Sequence, residues 1–443
     1  MSEIRETVLE LLAQLGSSRE ARQYLKEFSS VEESRFAVVK VGGGILRDHL
    51  DELASALAFL HRLGLRPVVL HGAGPQVDTA LAQAGIDSER IDNLRVTTEE
   101  VMAVARPVIY EQNLRLVEAL EQRGIRARGL QHGTFQARFL DADRYGLVGE
   151  ITNVNLDGLR RAVRAGALPV LTFLGESPSG QVLNINADIA ARELVWAIRP
   201  HKIIFLTPSG GLLDRNGRVI SAVSLSNDYE SLMQEPWVHS GMRLKLQQIN
   251  EMLEKLDDST SVSITSADQL TRELFTYRGA GTLVRKGEGI QYLEQPDPET
   301  LEDVARRVEA SFGRTLKAGW IESLVEPAVL LSESRRAAAV IVRGEGGYPY
   351  LEKFIVTPEA QGEGLGAAMW QVLRARYPEL YWRSRNSNPI TPWYFLQADS
   401  CERHGPWVVF TNGITDALQR DRVVQEAMSR DPGWVEEAPG DGS

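Results

Sequence analysis

Cysteine is almost missing: the 443 residues contain one, Cys401, so no disulfide can form within the chain and nothing calls for an oxidising compartment. Positive charge is in deficit as well. Lys plus Arg number 49 against 60 Asp plus Glu, a formal net charge of −11, which repels a phosphate backbone or an anionic bilayer and argues against nucleic acid and membrane as partners. Long apolar runs are absent too. No stretch approaches the roughly 18 residues that span a bilayer, and the first six residues lack the basic-then-apolar start of a secretory signal. These absences lead us to expect a cytoplasmic protein. What is present, 43% hydrophobic and 25% charged residues, is a globular composition with length for two or three cores.

The first 30 residues place Ile4, Val8, Leu11, Leu12 and Leu15 on one face of an amphipathic helix. Gly16-Ser17-Ser18 detaches it, so it packs on its own domain or on another subunit, and a homo-oligomer is expected. From Phe36, short apolar runs alternate with helical patterns: Phe36 to Val41, Arg66 to Leu70, Leu168 to Leu174, Lys202 to Leu206 and Ser261 to Ile264. Nearly continuous apolar strands separated by helices indicate an α/β domain with an open, mainly parallel sheet buried on both faces, here over 31–285. A polar stretch rich in glycine and proline, 286–297, reads as a linker. Asp297-Pro298-Glu299 then supplies an N-cap and first turn for a helix through Val304, Val308 and Phe312. Strands at Ala337 to Val342, Tyr350 to Val356, Leu380 to Arg385 and Trp407 to Thr411, with a helix at Leu365 to Arg376, give 298–430 the pattern of a smaller mixed-sheet domain. Residues 431–443 read as a solvated tail.

Three of the first domain's strands run directly into glycine: Val41 into Gly42-Gly43-Gly44, Leu70 into His71-Gly72-Ala73-Gly74, and Leu206 into Ser209-Gly210-Gly211. In open parallel sheets ligands sit beyond the carboxyl ends of the strands, where helix N-termini offer unpaired N–H groups, so the glycines point to an anion site. Lys40, at the end of a buried strand, needs either a phosphate or a nearby carboxylate.

Taken in order, Lys40-Val41-Gly42-Gly43-Gly44, His71-Gly72-Ala73-Gly74-Pro75-Gln76, Leu94-Arg95-Val96-Thr97, Asn184-Ile185-Asn186-Ala187-Asp188 and Gly241-Met242-Arg243-Leu244-Lys245 resemble the amino acid kinase family, and within it N-acetylglutamate kinase. The resemblance implies transfer of phosphate from ATP, with Mg2+, to the side-chain carboxylate of N-acetylglutamate, with no metal ligand from the protein. Lys40 and Lys245 would neutralise the phosphoryl group from opposite sides, with Asp188 organising them. Gly42, Gly43, Gly210 and Gly211 would bind ATP. Ala73, Gly74, Arg95, Asn184 and Asn186 would hold the substrate, Arg95 by a two-pronged contact with its α-carboxylate. Two positions depart from the bacterial kinases: Ala73 replaces a glycine, which would place a methyl close to substrate, and Pro208 replaces an aspartate, which would delete a donor near the nucleotide. Fungal kinases of the family carry the same variants.

In the second domain, Tyr350-Leu351-Glu352-Lys353-Phe354-Ile355-Val356 leads into Gln361-Gly362-Glu363-Gly364-Leu365-Gly366 and a helix. This strand, glycine loop and helix resemble the acetyl-coenzyme A site of GCN5-related N-acetyltransferases. Gln361, Gly362, Gly364 and Gly366 would take the pyrophosphate, and Ile355 and Val356 would offer backbone to the thioester. Arg385-Asn386-Ser387-Asn388-Pro389-Ile390-Thr391-Pro392-Trp393-Tyr394-Phe395 resembles the C-terminal domain of vertebrate-like N-acetylglutamate synthases. That resemblance assigns glutamate binding to Lys353 and Arg385, with Arg383 on the same alternating face, and catalysis to Asn388 and Tyr394. A tyrosine titrating near 10 serves as an acid rather than a base at neutral pH.

Together the domains resemble a bifunctional N-acetylglutamate synthase/kinase, which would acetylate L-glutamate with acetyl-CoA and then phosphorylate the product in arginine synthesis. Two alternatives accompany this reading: a synthase whose kinase fold is only a regulatory platform, and a non-catalytic arginine-responsive binding protein. Glu273 and Gly279, flanking Leu274-Phe275-Thr276, resemble the effector site of arginine-sensitive kinases, so L-arginine is an expected ligand.

Overall fold

Strands with no polar face form the centre of the first unit: Val38, Val39, Val68, Leu70, Ile203 and Ile204 are all fully buried. The computed structural model describes residues 37–238, 240–257, 260–275, 280–360 and 364–435. The amphipathic helix expected within 1–30 lies outside them, as do Gly279, Gln361 and Gly362. The chain divides into two compact units between Lys286 and Gly287.

The first unit holds an eight-stranded sheet in the spatial order Ala222–Ser224, Thr282–Arg285, Ser261–Thr265, Lys202–Leu206, Ala37–Val41, Val68–His71, Leu168–Leu171, Ala127–Leu130. Every pairing is parallel except that of Ser261–Thr265 with Thr282–Arg285. Separate apolar clusters cover its two faces, one containing Leu194, Leu246 and Ile249, the other Leu53, Leu57 and Leu120. Because Lys202–Leu206, Ala37–Val41 and Val68–His71 are adjacent and parallel, the glycine turns that follow them line one edge of the sheet. The expected strand from Leu168 to Leu174 is broken. Thr172 turns its hydroxyl to Gln131 O, 2.7 Å away, and Leu174–Glu176 joins a second sheet with Val182–Asn184, Phe135–Phe139 and Gly149–Val154. That sheet escapes sequence patterning because its strands are short and largely exposed along Phe135–Phe139 and Gly149–Val154.

The second unit is one seven-stranded sheet: Ile290–Leu293, Ala328–Ser332, Ala337–Arg343, Pro349–Val356, Leu380–Arg385, Trp407–Asn412, Ser400–His404. Ile290–Leu293 lies inside the stretch read as linker; it is an edge strand, pairing over four residues with Ala328–Ser332, and its polar, glycine-rich flanks hide it in the sequence. All pairings are antiparallel except that of Pro349–Val356 with Leu380–Arg385, which meet only at Tyr350 and Tyr381. The two strands therefore diverge toward Val356 and Arg385. Leu365–Arg376 covers one face; Pro298–Phe312 and Ala417–Ser429 cover the other. The reading of 431–443 as a solvated tail fails over its first part: Trp434 is buried, its ring centroid lies 5.1 Å from that of Phe312, and Val435 N donates to Thr315 O at 2.9 Å. Burying an indole outweighs the polarity of its neighbours.

Asp297 caps Pro298–Phe312 as its sequence indicates, its carboxylate accepting from Thr300 N at 2.7 Å. Asp297→Ala removes that acceptor and lowers stability by about 0.5–2 kcal/mol, read as a fall in the denaturant midpoint of the second unit.

Candidate functional site

Three charges meet at the glycine-lined edge of the first sheet. Lys40 is the fourth residue of Ala37–Val41, Asp188 stands in the first turn of helix Ala187–Ile198, and Lys245 lies on helix Ser240–Glu254. Lys40 Nζ is 2.6 Å from Asp188 Oδ1. The carboxylate is thus the partner that a buried strand end requires, and an ammonium with three donors retains others for a ligand. Burial pushes the Lys245 ammonium below its ordinary pKa, the like charge of Lys40 pushes it further, and Asp188 partly offsets both. Asp188 is thus paired with Lys40, and both charges are near enough to act on Lys245.

Around them the backbone approaches closely. A Cβ on Gly43 would lie 2.9 Å from both Gln76 Oε1 and Pro75 Cδ, so only glycine fits between the two helix starts; Gly44 and Gly74, by contrast, face open space. Helices Gly43–Asp48 and Gly74–Ala84 have no side-chain cap, which leaves first-turn N–H groups for an anion. Gly42 precedes the first of these helices and has ordinary extended geometry. Ala73 is 1% exposed and belongs to the core cluster, so its methyl is accommodated by packing. Pro208 occupies the second position of a turn closed by Gly210 N donating to Thr207 O at 3.2 Å, where proline fits and its missing N–H is not used. Gly210 follows at φ 67°, and a Cβ on Gly211 would strike Val219 and Thr282.

The expected substrate residues gather on the same unit with their polar groups already engaged. Arg95 pairs with Asp78 and donates to Ser88 Oγ at 3.1 Å. Asn184 donates to Thr97 Oγ1 at 3.0 Å. Asn186 caps the helix that carries Asp188, accepting from Asp188 N and Ile189 N at 2.8 and 3.3 Å; it positions that carboxylate, and its Oδ1 is committed. Glu273 is buried and accepts from Ala280 N at 2.7 Å, so it is not a solvated helix residue.

In the second unit the candidate residues divide between the faces of the sheet. Lys353 registers with Val340, beside a bulge that displaces Glu352, and Arg383 registers with Val409; both lie on the face of Pro298–Phe312 and Ala417–Ser429. Lys353 pairs with Glu352 at 2.5 Å, its Nζ lies 5.3 Å from the Trp434 ring centre, and it donates to Pro432 O at 3.4 Å. Arg383 donates to Arg430 O at 2.6 Å and stacks on Trp407, as does Arg385. Tyr394 is on the opposite face, ringed by Trp370, Trp382, Trp393 and Phe410 at centroid distances of 5.5–5.7 Å. Burial pushes its phenol well above the ordinary tyrosine range. Asn388 follows the strand Leu380–Arg385, its Oδ1 accepting from Ile390 N at 3.3 Å. Pro349–Val356 and Leu380–Arg385 pair only at Tyr350 and Tyr381 and diverge beyond. There Ile355 is buried, Gly364 opens helix Leu365–Arg376 in the left-handed conformation, and a Cβ on Gly366 would lie 3.1 Å from Val356.

Comparison with known proteins agrees with this two-part organisation. Residues 35–266 match the amino acid kinase family, and residues 289–430 match the N-acetyltransferase of N-acetylglutamate synthase. A protein of Xanthomonas campestris named acetylglutamate kinase is 46% identical over 422 residues, covering 94% of this chain and 99% of its own length. The chain belongs to the amino acid kinase family. Its kinase unit is fused to an N-acetyltransferase unit. The mitochondrial N-acetylglutamate synthase of Homo sapiens is 31% identical, covering 96% of this chain and 78% of its own. The solved N-acetylglutamate synthase of Neisseria gonorrhoeae shares the fold, with a TM-score of 0.63 at 20% identity over 89% of this chain and 98% of that one.

Within this family member, sequence patterning missed the groups that contact the candidate side chains Arg95 and Lys353. Asp78, Glu352, Trp320 and Trp434 carry no motif; each acquires its position only through register or a chain reversal. Glu352 is the clearest case, since strict alternation would put it on the other face from Lys353, and the bulge between Val340 and Ile341 brings it round to the ammonium.

Proposed function

We propose that the chain is a bifunctional enzyme of arginine synthesis. Its second unit acetylates L-glutamate with acetyl-CoA, and its first phosphorylates the side-chain carboxylate of N-acetyl-L-glutamate with ATP, whose magnesium arrives with the nucleotide. One observation carries the kinase half: the Lys40–Asp188–Lys245 cluster at the mouths of the glycine turns. A degenerate platform would have no use for two cations held at the cost of mutual repulsion and desolvation. The relatives named acetylglutamate kinase and N-acetylglutamate synthase, each aligned along nearly all of this chain, support one activity apiece.

In the kinase reaction a carboxylate oxygen of N-acetylglutamate attacks the γ-phosphorus, the bond to the β–γ bridging oxygen breaks, and ADP leaves with the electron pair. Both reactants are anions, so catalysis is charge cancellation and alignment rather than covalent chemistry. Lys40 and Lys245 meet the equatorial and leaving oxygens, Asp188 offsets the repulsion between the two ammonium groups, Gly42, Gly43, Gly210 and Gly211 hold the nucleotide phosphates, and Ala73 and Gly74 lie against the substrate. Arg95 exchanges Asp78 for the α-carboxylate of the substrate.

In the acetyl transfer the neutral amine of glutamate attacks the thioester carbonyl, the C–S bond breaks with its electron pair going to sulfur, the sulfur takes a proton from Tyr394, and the proton shed by the nitrogen returns to the Tyr394 phenolate. Lys353, Arg383 and Arg385 hold the carboxylates on one face. Acetyl-CoA lies on the other, along Gly364, Gly366 and the diverging strand, with the carbonyl reached through the gap between the strands. Tyr394 protonates the thiolate.

Acyl phosphate trapped by hydroxylamine, dependent on both ATP and N-acetylglutamate, together with release of free coenzyme A dependent on glutamate, tests both halves in one preparation. Loss of the first signal alone leaves a synthase on an inert kinase fold, and loss of both leaves a binding protein. The proposal includes cytoplasmic location and homo-oligomeric assembly, on the composition and on the apolar periodicity of Ile4, Val8, Leu11, Leu12 and Leu15 in the sequence. It also includes feedback by L-arginine, resting on the buried carboxylate of Glu273; Glu273→Ala is expected to blunt the response of acetyl transfer to added arginine about ten-fold, as loss of a charged hydrogen bond implies, and an unchanged titration removes Glu273 from the effector site.

A further inference from the structure

Arg95, which the proposed function assigns to the α-carboxylate of N-acetylglutamate, sits on a piece of structure too small to hold itself. The hairpin Arg90–Ile91 with Leu94–Arg95 contains two residue pairs, and its turn residues Asp92 and Asn93 both lie in the left-handed region, at φ 52° and 64°. A two-stranded hairpin is marginal in water, and non-glycine residues at positive φ persist only where their surroundings hold them. Neighbours must therefore set the height of Arg95 above the sheet.

They do so from two ends. At the root, Thr97 is fully buried; its N–H donates to Tyr145 O at 2.9 Å and its carbonyl accepts from Leu147 N at 2.6 Å. Its hydroxyl donates to Arg95 O at 2.8 Å. A Cβ on Gly146 would lie 2.4 Å from Thr97 O, so the two backbones are as close as glycine allows. At the tip, Asp92 Oδ2 accepts from the Tyr145 hydroxyl at 2.7 Å and from Arg144 Nη2 at 2.8 Å. Tyr145 thus touches the root with its carbonyl and the tip with its hydroxyl, and its ring is anchored by burial in the core. Arg144, with 55% of its side chain exposed, adds little to such a contact.

We propose that Tyr145 is a positioning residue of the kinase unit: through Asp92 it fixes the hairpin so that Arg95 meets the substrate's carboxylate, setting affinity for N-acetylglutamate without touching it. The inference rests on the assignment of that substrate above. Tyr145→Phe removes only the hydroxyl, and it raises the KM and the calorimetric Kd for N-acetylglutamate about ten-fold, the size of one hydrogen bond to a carboxylate. kcat, the KM for ATP and the acetylation of glutamate stay unchanged. Asp92→Ala matches it, the double variant is no worse than either single one, and Asp92→Asn, which keeps an acceptor, recovers part of the loss. An unchanged Kd in Tyr145→Phe, or an equal rise in the KM for ATP, overturns the proposal. A wild-type protein that binds N-acetylglutamate without phosphorylating it refutes the kinase activity and still tests the strut through Kd; one that does not bind it overturns both.

Discussion

Lys245→Ala lowers acyl phosphate formation by about two to three orders of magnitude, the scale on which removal of one preorganised charge donor acts, while glutamate acetylation keeps its wild-type rate. The expectation follows from what the side chain faces. Lys245 is held in a half-buried position near a second ammonium, an arrangement that lowers its own pKa and is unfavourable until anionic oxygen enters. Its attraction for the phosphoryl group is therefore greatest when charge is greatest, in the transition state, so kcat falls more than the KM for either substrate rises. Alanine relieves the repulsion on Lys40, and the variant is at least as stable as the wild type. A pH profile separates this role from packing. Because the ammonium is the active form and its pKa is depressed below the ordinary 10.5, phosphorylation declines on the alkaline side at lower pH than a free lysine would dictate, and acetylation does not share that decline. Hydroxamate formation followed against pH, with coenzyme A release as the internal control, reads both. A Lys245→Ala enzyme that forms acyl phosphate at the wild-type rate would place the phosphoryl site elsewhere.

The meeting of Lys40 and Asp188 at the glycine-lined edge was legible because its ingredients are local: a lysine at a strand end, glycines where strands give way to helices, and Asp188 two residues beyond a capping asparagine are all sequence-adjacent features. Lys202–Leu206, Leu380–Arg385 and Leu365–Arg376 are also bounded in the structure as patterning places them, since each is apolar enough, or periodic enough, to be decided by its own residues. What patterning could not reach depends on distant contacts. Ile290–Leu293 is a strand because Ala328–Ser332 is there to pair with it. Trp434 is buried because Phe312 and Leu316 lie beneath it. Arg95 and Asp78 form a pair because a hairpin with two left-handed turn residues folds back over helix Gly74–Ala84, and no spacing rule connects those positions. The division of Lys353 and Tyr394 between opposite faces is likewise a product of topology: one parallel pairing in an otherwise antiparallel sheet, closed at Tyr350 and Tyr381 and open beyond.

That division governs the second large effect. Tyr394→Phe lowers kcat for glutamate acetylation by about two orders of magnitude, toward the lower end of what a positioned proton donor contributes, and leaves acyl phosphate formation intact. The ring is already packed among Trp370, Trp382, Trp393 and Phe410, and phenylalanine keeps that packing, so the thermal transition moves little and the lost rate belongs to the hydroxyl. Burial raises the phenol above its ordinary value of 10.0, so across the working range it starts out protonated: it acts as the donor to the departing thiolate rather than as the initial base, and the phenolate so formed recovers the proton shed by the nitrogen. With glutamate held on the other face by Lys353 and Arg383, as proposed, its KM stays near wild type and the defect appears in kcat. A better substitute leaving group exposes the same point from the other side, since a thioester whose thiol has a lower pKa needs less help in departing and narrows the gap between the variant and the wild type. Equal losses with both thioesters would mean that Tyr394 orients the amine or fills space, and that the proton reaches sulfur by another route.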